Sequence, residues 1–200
     1  MNRNLIYRSL TTNEISALSA AGYFSAPLTN NPATLLALAS ATNTDATLEF
    51  RARSFLAANC AQCHQPGGTA QRASWDARIT TSTATAGLIR GLPVNNFGSA
   101  NNFIIAPQSP TNSVLFTRIS ERGLGSLPSI QMPPLASNLA DTQDILLVSN
   151  WITSLSLTGF PDVPVFNSLQ RVGTNLIFNG ANGWPGQNYS VRASPNLARR

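Results

Sequence analysis

Lysine is absent from this chain, and all thirteen of its cations are arginines. Charge is sparse throughout, with charged residues at 10%, low for a soluble protein. A formal net charge of +5 still raises the question of a nucleic-acid partner. Its distribution argues against one. Residues 1 to 157 carry nine arginines against seven acids, and no basic cluster falls on one helix or face. The rest of the excess sits in the tail, where Arg171, Arg192, Arg199 and Arg200 are set against Asp162 alone. No apolar run approaches the length of a membrane span, so no transmembrane segment is expected. The start offers only Leu5, Ile6 and Tyr7 as apolar residues between its first two arginines, too few for a signal-peptide core.

Sulfur and imidazole are as scarce as charge. The two cysteines and the single histidine all fall within Cys60-Ala61-Gln62-Cys63-His64. Two cysteines separated by two residues, with a histidine next, form the attachment motif for a c-type haem. One helical turn presents both thiols to the vinyl groups along one porphyrin edge, and the following imidazole lies where it can reach the iron. A CxxC pair can also serve as a redox dithiol or as half of a zinc site. Structural zinc wants four ligands, and the chain has no further Cys or His to offer. A thioredoxin-like dithiol needs a βαβ context, which the flanking residues lack. Two ionised haem propionates would also bring residues 1 to 157 close to neutrality.

At 200 residues, one domain plus attachments is expected. Thr11 to Glu14 reads as a capping box ahead of a short helix striped by Ile15, Leu18 and Ala21 and stopped by Gly22. A second helical stretch is expected over Ala33 to Ala41, both wrapped on the main domain. Asp45 is placed to cap a helix over about 46 to 60, with Leu48, Ala52, Phe55, Leu56 and Asn59 on one face and Glu49, Arg51 and Arg53 off it. Pro66-Gly67-Gly68 ends it. Trp75, Leu88, Ile89, Leu92, Phe97, Phe103, Ile104 and Ile105 are candidates for an apolar haem pocket, or for ordinary core. Ser109-Pro110 opens a helix whose inner stripe is Val114, Leu115 and Ile119. Arg118 lies beside that stripe, where it can bond a propionate.

Residues 122 to 131 read as a loop. It leads to Met132-Pro133-Pro134, the only methionine besides Met1. A thioether is a soft ligand suited to haem iron, and His/Met ligation raises the reduction potential. The prolines stiffen the loop that would present it. The axial pair expected is therefore His64 and Met132. Asp141 starts a closing helix to about Leu155, with Trp151 as its core anchor. Pro161 and Pro164 then mark a linker. Asn175-Leu176-Ile177-Phe178 and Tyr189-Ser190-Val191-Arg192 read as two strands, the beginning of a β-sandwich.

With these elements in place the chain resembles a bacterial family: cytochrome c modules near the C-termini of exported proteins, often behind a propeller like that of glucose/sorbosone dehydrogenases. The matching stretches are Ala52 through Gly68, Trp75-Asp76-Ala77-Arg78, Pro107 to Ile119, and Gln131-Met132-Pro133-Pro134-Leu135. The resemblance implies Cys60 and Cys63 as thioether anchors and His64 and Met132 as axial ligands. It gives Asp76 and Arg78 no chemical role. The expected fold is mainly α: a class I-like cytochrome c helical domain over 45–157, an N-terminal helical segment over 1–44, and a linker with an incomplete β-rich module over 158–200. The expected function is electron transfer through one covalent haem c, fed by a linked or partner dehydrogenase and drained by a downstream acceptor, in the periplasm or outside the cell. The chain is then a piece of a longer exported protein. Two alternatives stand beside this reading. One is a haem enzyme with an open sixth position for peroxide or gas; the other is a zinc-bound or purely structural interaction module.

Overall fold

A computed structural model describes residues 2–7, 9–70, 72–122, 130–134, 138–157 and 165–181. The chain begins with a hairpin, β1 (Asn4–Tyr7) against β2 (Leu10–Asn13), antiparallel with Leu5 opposite Thr12 and Ile6 opposite Thr11. The two threonines expected to open a helix are β-branched and pair in this hairpin instead, where such side chains fit the pleat. The helix cap moves to Asn13. Its side chain accepts the N–H groups of Ile15 (2.9 Å) and Ser16 (3.4 Å) at the start of α1 (Glu14–Ala20). Beyond it, the expected second helix reduces to a 3₁₀ turn over Pro32–Thr34.

The reason lies in what the following residues bond to. The N–H of Ala39 donates to the Ser54 hydroxyl at 3.1 Å, and Arg51 Nη1 donates to the Ala41 carbonyl at 2.7 Å. Both bonds tie residues 39–41, which have no helical assignment, to α2 (Leu48–Cys60). A helix over 33–41 would instead spend the Ala39 N–H on the carbonyl of residue 35.

Thr47, rather than Asp45, caps α2 by accepting the Phe50 N–H. The helix runs for 13 residues, and Ala52 and Leu56 are fully buried. The closing helix, α4 (Thr142–Ser154), is capped by Asp141, as the sequence suggested, and buries Leu147, Val148, Trp151 and Ile152. Trp151 is 1% exposed and belongs to the same core cluster as Leu56 of α2. Between them, Pro110–Asn112 forms a 3₁₀ turn and α3 (Val114–Ser120) buries Val114, Leu115 and Ile119. Leu88, Ile89, Ile104 and Ile105 complete the core from irregular strand-like segments, tied by Ile105 N–H to Leu88 O (3.1 Å) and Leu115 N–H to Ile104 O (3.1 Å). Each aliphatic side chain so buried contributes about 1.5–3 kcal/mol. Leu92, a pocket candidate by sequence, is 63% exposed.

The last described element is a second antiparallel hairpin, β3 (Val165–Val172) with β4 (Asn175–Ala181). The strand expected at 175–178 is present, but its partner is 165–172. Tyr189–Arg192, Pro161, Pro164 and residues 123–129 of the expected loop lie outside the described residues.

The mainly α expectation is therefore wrong. Among the described residues there are four α-helices, two of them only seven residues long, and two small antiparallel sheets. The frame is mixed α/β rather than the helical cytochrome c fold. Its long middle stretches follow a physical rule. Residues 69–108 are rich in Thr, Asn and Ser, whose side chains bond to nearby backbone, and in Gly, whose conformational freedom also favours turns over helix.

Candidate haem-attachment site

Cys60 is the last residue of α2, and the helical path continues for one turn beyond it. The N–H groups of Cys63 (3.0 Å) and His64 (2.8 Å) both donate to the Cys60 carbonyl. The three side chains therefore follow one another around a single turn. Both cysteines are free thiols, Cys60 buried and Cys63 partly so. Gly67, at φ +77°, reverses the chain in a conformation that favours glycine. Gly68 then passes against the Cys63 carbonyl so closely that a Cβ there would collide with it.

The returning chain grips His64. Its carbonyl accepts the Ala77 N–H at 2.8 Å, and Trp75 stacks on the imidazole with ring centroids 4.2 Å apart and planes 24° from parallel. His64 Nδ1 is buried with no hydrogen-bond partner among the described residues. Burial, and then the charge of Arg118, lower the His64 pKa, which keeps the ring neutral at pH 7. Neutral imidazole is the form that binds a metal.

Asp76 and Arg78, without a chemical role by sequence, lock this returning segment. The Asp76 carboxylate accepts from the Arg78 N–H (3.0 Å), Arg78 Nη2 (2.6 Å) and the Thr81 hydroxyl (2.7 Å). Burial pushes its pKa up, but these bonds and the Arg78 charge outweigh that and hold it at about 2. Behind the lock stands Arg53, only 3% exposed, whose Nη2 donates to the carbonyls of Arg78 (2.7 Å) and Thr81 (2.9 Å). Burial lowers the Arg53 pKa, against the raising effect of Glu49 and Asp76. The sequence placed Arg53 off the packed face; in fact α2 is covered on that side too, by residues 78–83. A cavity of about 260 Å³ lies there, lined by Thr47, Glu49, Phe50, Arg53, Ile79 and the 81–83 hydroxyls, at the opposite end of α2 from the cysteines.

Met132 and Arg118 belong together. The Met132 N–H donates to the Arg118 carbonyl at 2.9 Å, and Arg118 Nη1 donates to the Ile130 carbonyl at 3.1 Å. The Arg118 guanidinium also lies 5.3 Å from the Phe97 ring centre. It is half-buried, and burial lowers its pKa. The Arg118 charge is felt at His64, but no hydrogen bond or ring contact among the described residues joins the Met132 segment to His64.

The thiols also bear on the alternatives. Burial first, and then Cys63, push the Cys60 pKa up to about 12. A reactive dithiol is favoured by a depressed thiol pKa, and burial moves Cys60 the other way. No group of three or more His, Cys, Asp or Glu among the described residues could hold a metal ion, so Cys60, Cys63 and His64 do not converge as a chelate. No helix among the described residues is long and apolar enough to cross a membrane. No protein-family model matches this chain, and neither does any curated protein or solved structure.

Proposed function

We propose that this chain is a one-electron carrier that holds a single haem c by thioether bonds to Cys60 and Cys63, with His64 and Met132 as axial ligands. The observation that carries this reading is the turn at the end of α2. It puts two unpaired thiols and the only imidazole at i, i+3 and i+4, with the imidazole half-buried and one ring nitrogen unpartnered. A buried nitrogen without a partner costs about 1–3 kcal/mol.

The residues fit the group in kind. Cys60 is fixed by the helix and Cys63 by its N–H bond to the Cys60 carbonyl. Stacking on Trp75 fixes the plane of the His64 ring, and burial keeps it neutral. Met132 offers an uncharged sulfur from a segment tied to α3. When bound, the haem supplies a ferric/ferrous couple, and two filled axial positions keep its rearrangement small. The reading also takes in the likeness of the four matching stretches to modules of exported dehydrogenases. It places the chain in the periplasm or outside the cell, between a donor dehydrogenase domain and a downstream acceptor.

The test is a pyridine haemochrome assay on protein exported alongside a haem-attachment system. Covalent haem is expected at one per chain, lost in the Cys60→Ser, Cys63→Ser double variant. Absence of covalent haem in the wild type sinks the proposal. Haem without the far-red sulfur-to-iron band would instead support an open sixth position and a haem enzyme.

A further inference from the structure

We propose that Arg118 is the positioning residue for Met132, tethering the segment that presents the thioether; the inference rests on the His/Met reading above. Among the described residues, two hydrogen bonds join that segment to Arg118. One uses the Arg118 backbone, whose carbonyl accepts the Met132 N–H at 2.9 Å. The other uses the Arg118 side chain, whose Nη1 donates to the Ile130 carbonyl at 3.1 Å. A single residue near the end of α3 thus grips the chain two residues before Met132 and again at Met132 itself.

The guanidinium is held in place for this work. Phe97 lies against it, with the ring centre 5.3 Å from the guanidinium carbon, a cation–π distance. Phe97 has φ +52°, a left-handed conformation uncommon for an aromatic residue, so the loop carrying it is bent to bring the ring there. α3 itself is anchored by Val114, Leu115 and Ile119 in the core. The tether therefore runs from the core through α3 to a half-buried guanidinium and on to the Met132 segment.

A thioether is an uncharged, weak ligand, and an added base competes with it for the sixth position. Loosening its tether should make that competition easier. The test titrates imidazole into the ferric, haem-loaded chain and follows loss of the far-red band. Arg118→Met removes the Ile130 bond and leaves the Met132 N–H bond to the backbone intact. One charge-assisted hydrogen bond to a half-buried group then corresponds to an apparent Kd for imidazole about tenfold lower. Arg118→Lys, which keeps a donor and the charge, should recover part of that change. If Arg118→Met yields no haem protein, Phe97→Ala, which frees the guanidinium, decides the matter: an unchanged imidazole Kd there overturns the proposal.

An unchanged imidazole Kd in Arg118→Lys and Arg118→Met overturns the proposal. So does a shift in reduction potential with the same Kd, the signature of a propionate partner instead. A wild type with covalent haem and no far-red band sinks the His/Met reading, and this inference with it.

Discussion

Replacing Asp76 by asparagine tests the lock that holds Trp75 and Ala77 on His64. Asp76 sits between those two residues in sequence, and its carboxylate collects the Arg78 N–H, the Arg78 guanidinium and the Thr81 hydroxyl. A carboxyl lowered from 3.8 to about 2 corresponds to about 2.4 kcal/mol of stability at neutral pH before screening. The Arg78 side chain is 44% exposed, so water reduces that to about 1 kcal/mol. The sign follows from the direction of the shift. The folded carboxyl is the stronger acid, so its contribution is complete above the unfolded value of 3.8 and is lost as pH falls through about 2. Urea unfolding of wild type and Asp76→Asn at pH 7, 5 and 3 should show a gap of about 1 kcal/mol at the first two and roughly half of it at pH 3. No gap at pH 7 would refute the lock. A gap of the same size at pH 3 would show that the loss comes from packing and not from the charge.

Two further substitutions test neighbouring parts of the site. Arg53→Met leaves the Arg78 and Thr81 carbonyls without their donor while relieving a buried charge; the net is a loss of about 2 kcal/mol, read from the urea midpoint. Gly68→Ala drives a Cβ into the Cys63 carbonyl, which is backbone and cannot swing aside. It should cost about 2 kcal/mol in the same assay and lower the yield of covalent haem relative to the wild type.

The parts of this molecule that could be read in advance were those where local chemistry and packing agree. Asp141 caps α4, and of the expected face, Ile145, Val148, Trp151, Ile152 and Leu155, all are buried except Ile145, which is partly so, while Leu147 joins them. Cys60-Ala61-Gln62-Cys63-His64 lies on a helical turn because a turn is the only way to bring those side chains to one region. The misses share a cause, which is bonding between distant residues. Thr11 and Thr12 were available to start a helix, but Leu5 and Ile6 offered them a strand. Residues 33–41 had helical composition, yet Ser54 and Arg51 hold 39–41 to α2. Arg53 reads as a surface cation in any helical projection. Only the carbonyls of residues 78 and 81, twenty-five and more positions away, make its burial tolerable. Likewise nothing in the spacing of Arg118 and Met132 announced that Arg118 bonds both to Met132 and, two residues earlier, to Ile130.

The attachment of residues 39–41 to α2 bears on how this protein can be cut. A recombinant chain begun at Asp45 keeps every residue of the cysteine-bearing helix, yet strips the Ser54 hydroxyl of its donor and the Arg51 guanidinium of its acceptor. It also removes Ala41, which packs at the edge of the core. The smallest unit that keeps α2 dressed on both sides therefore starts upstream of Ala39, and a shorter one would present a wet groove along the very helix that ends in Cys60.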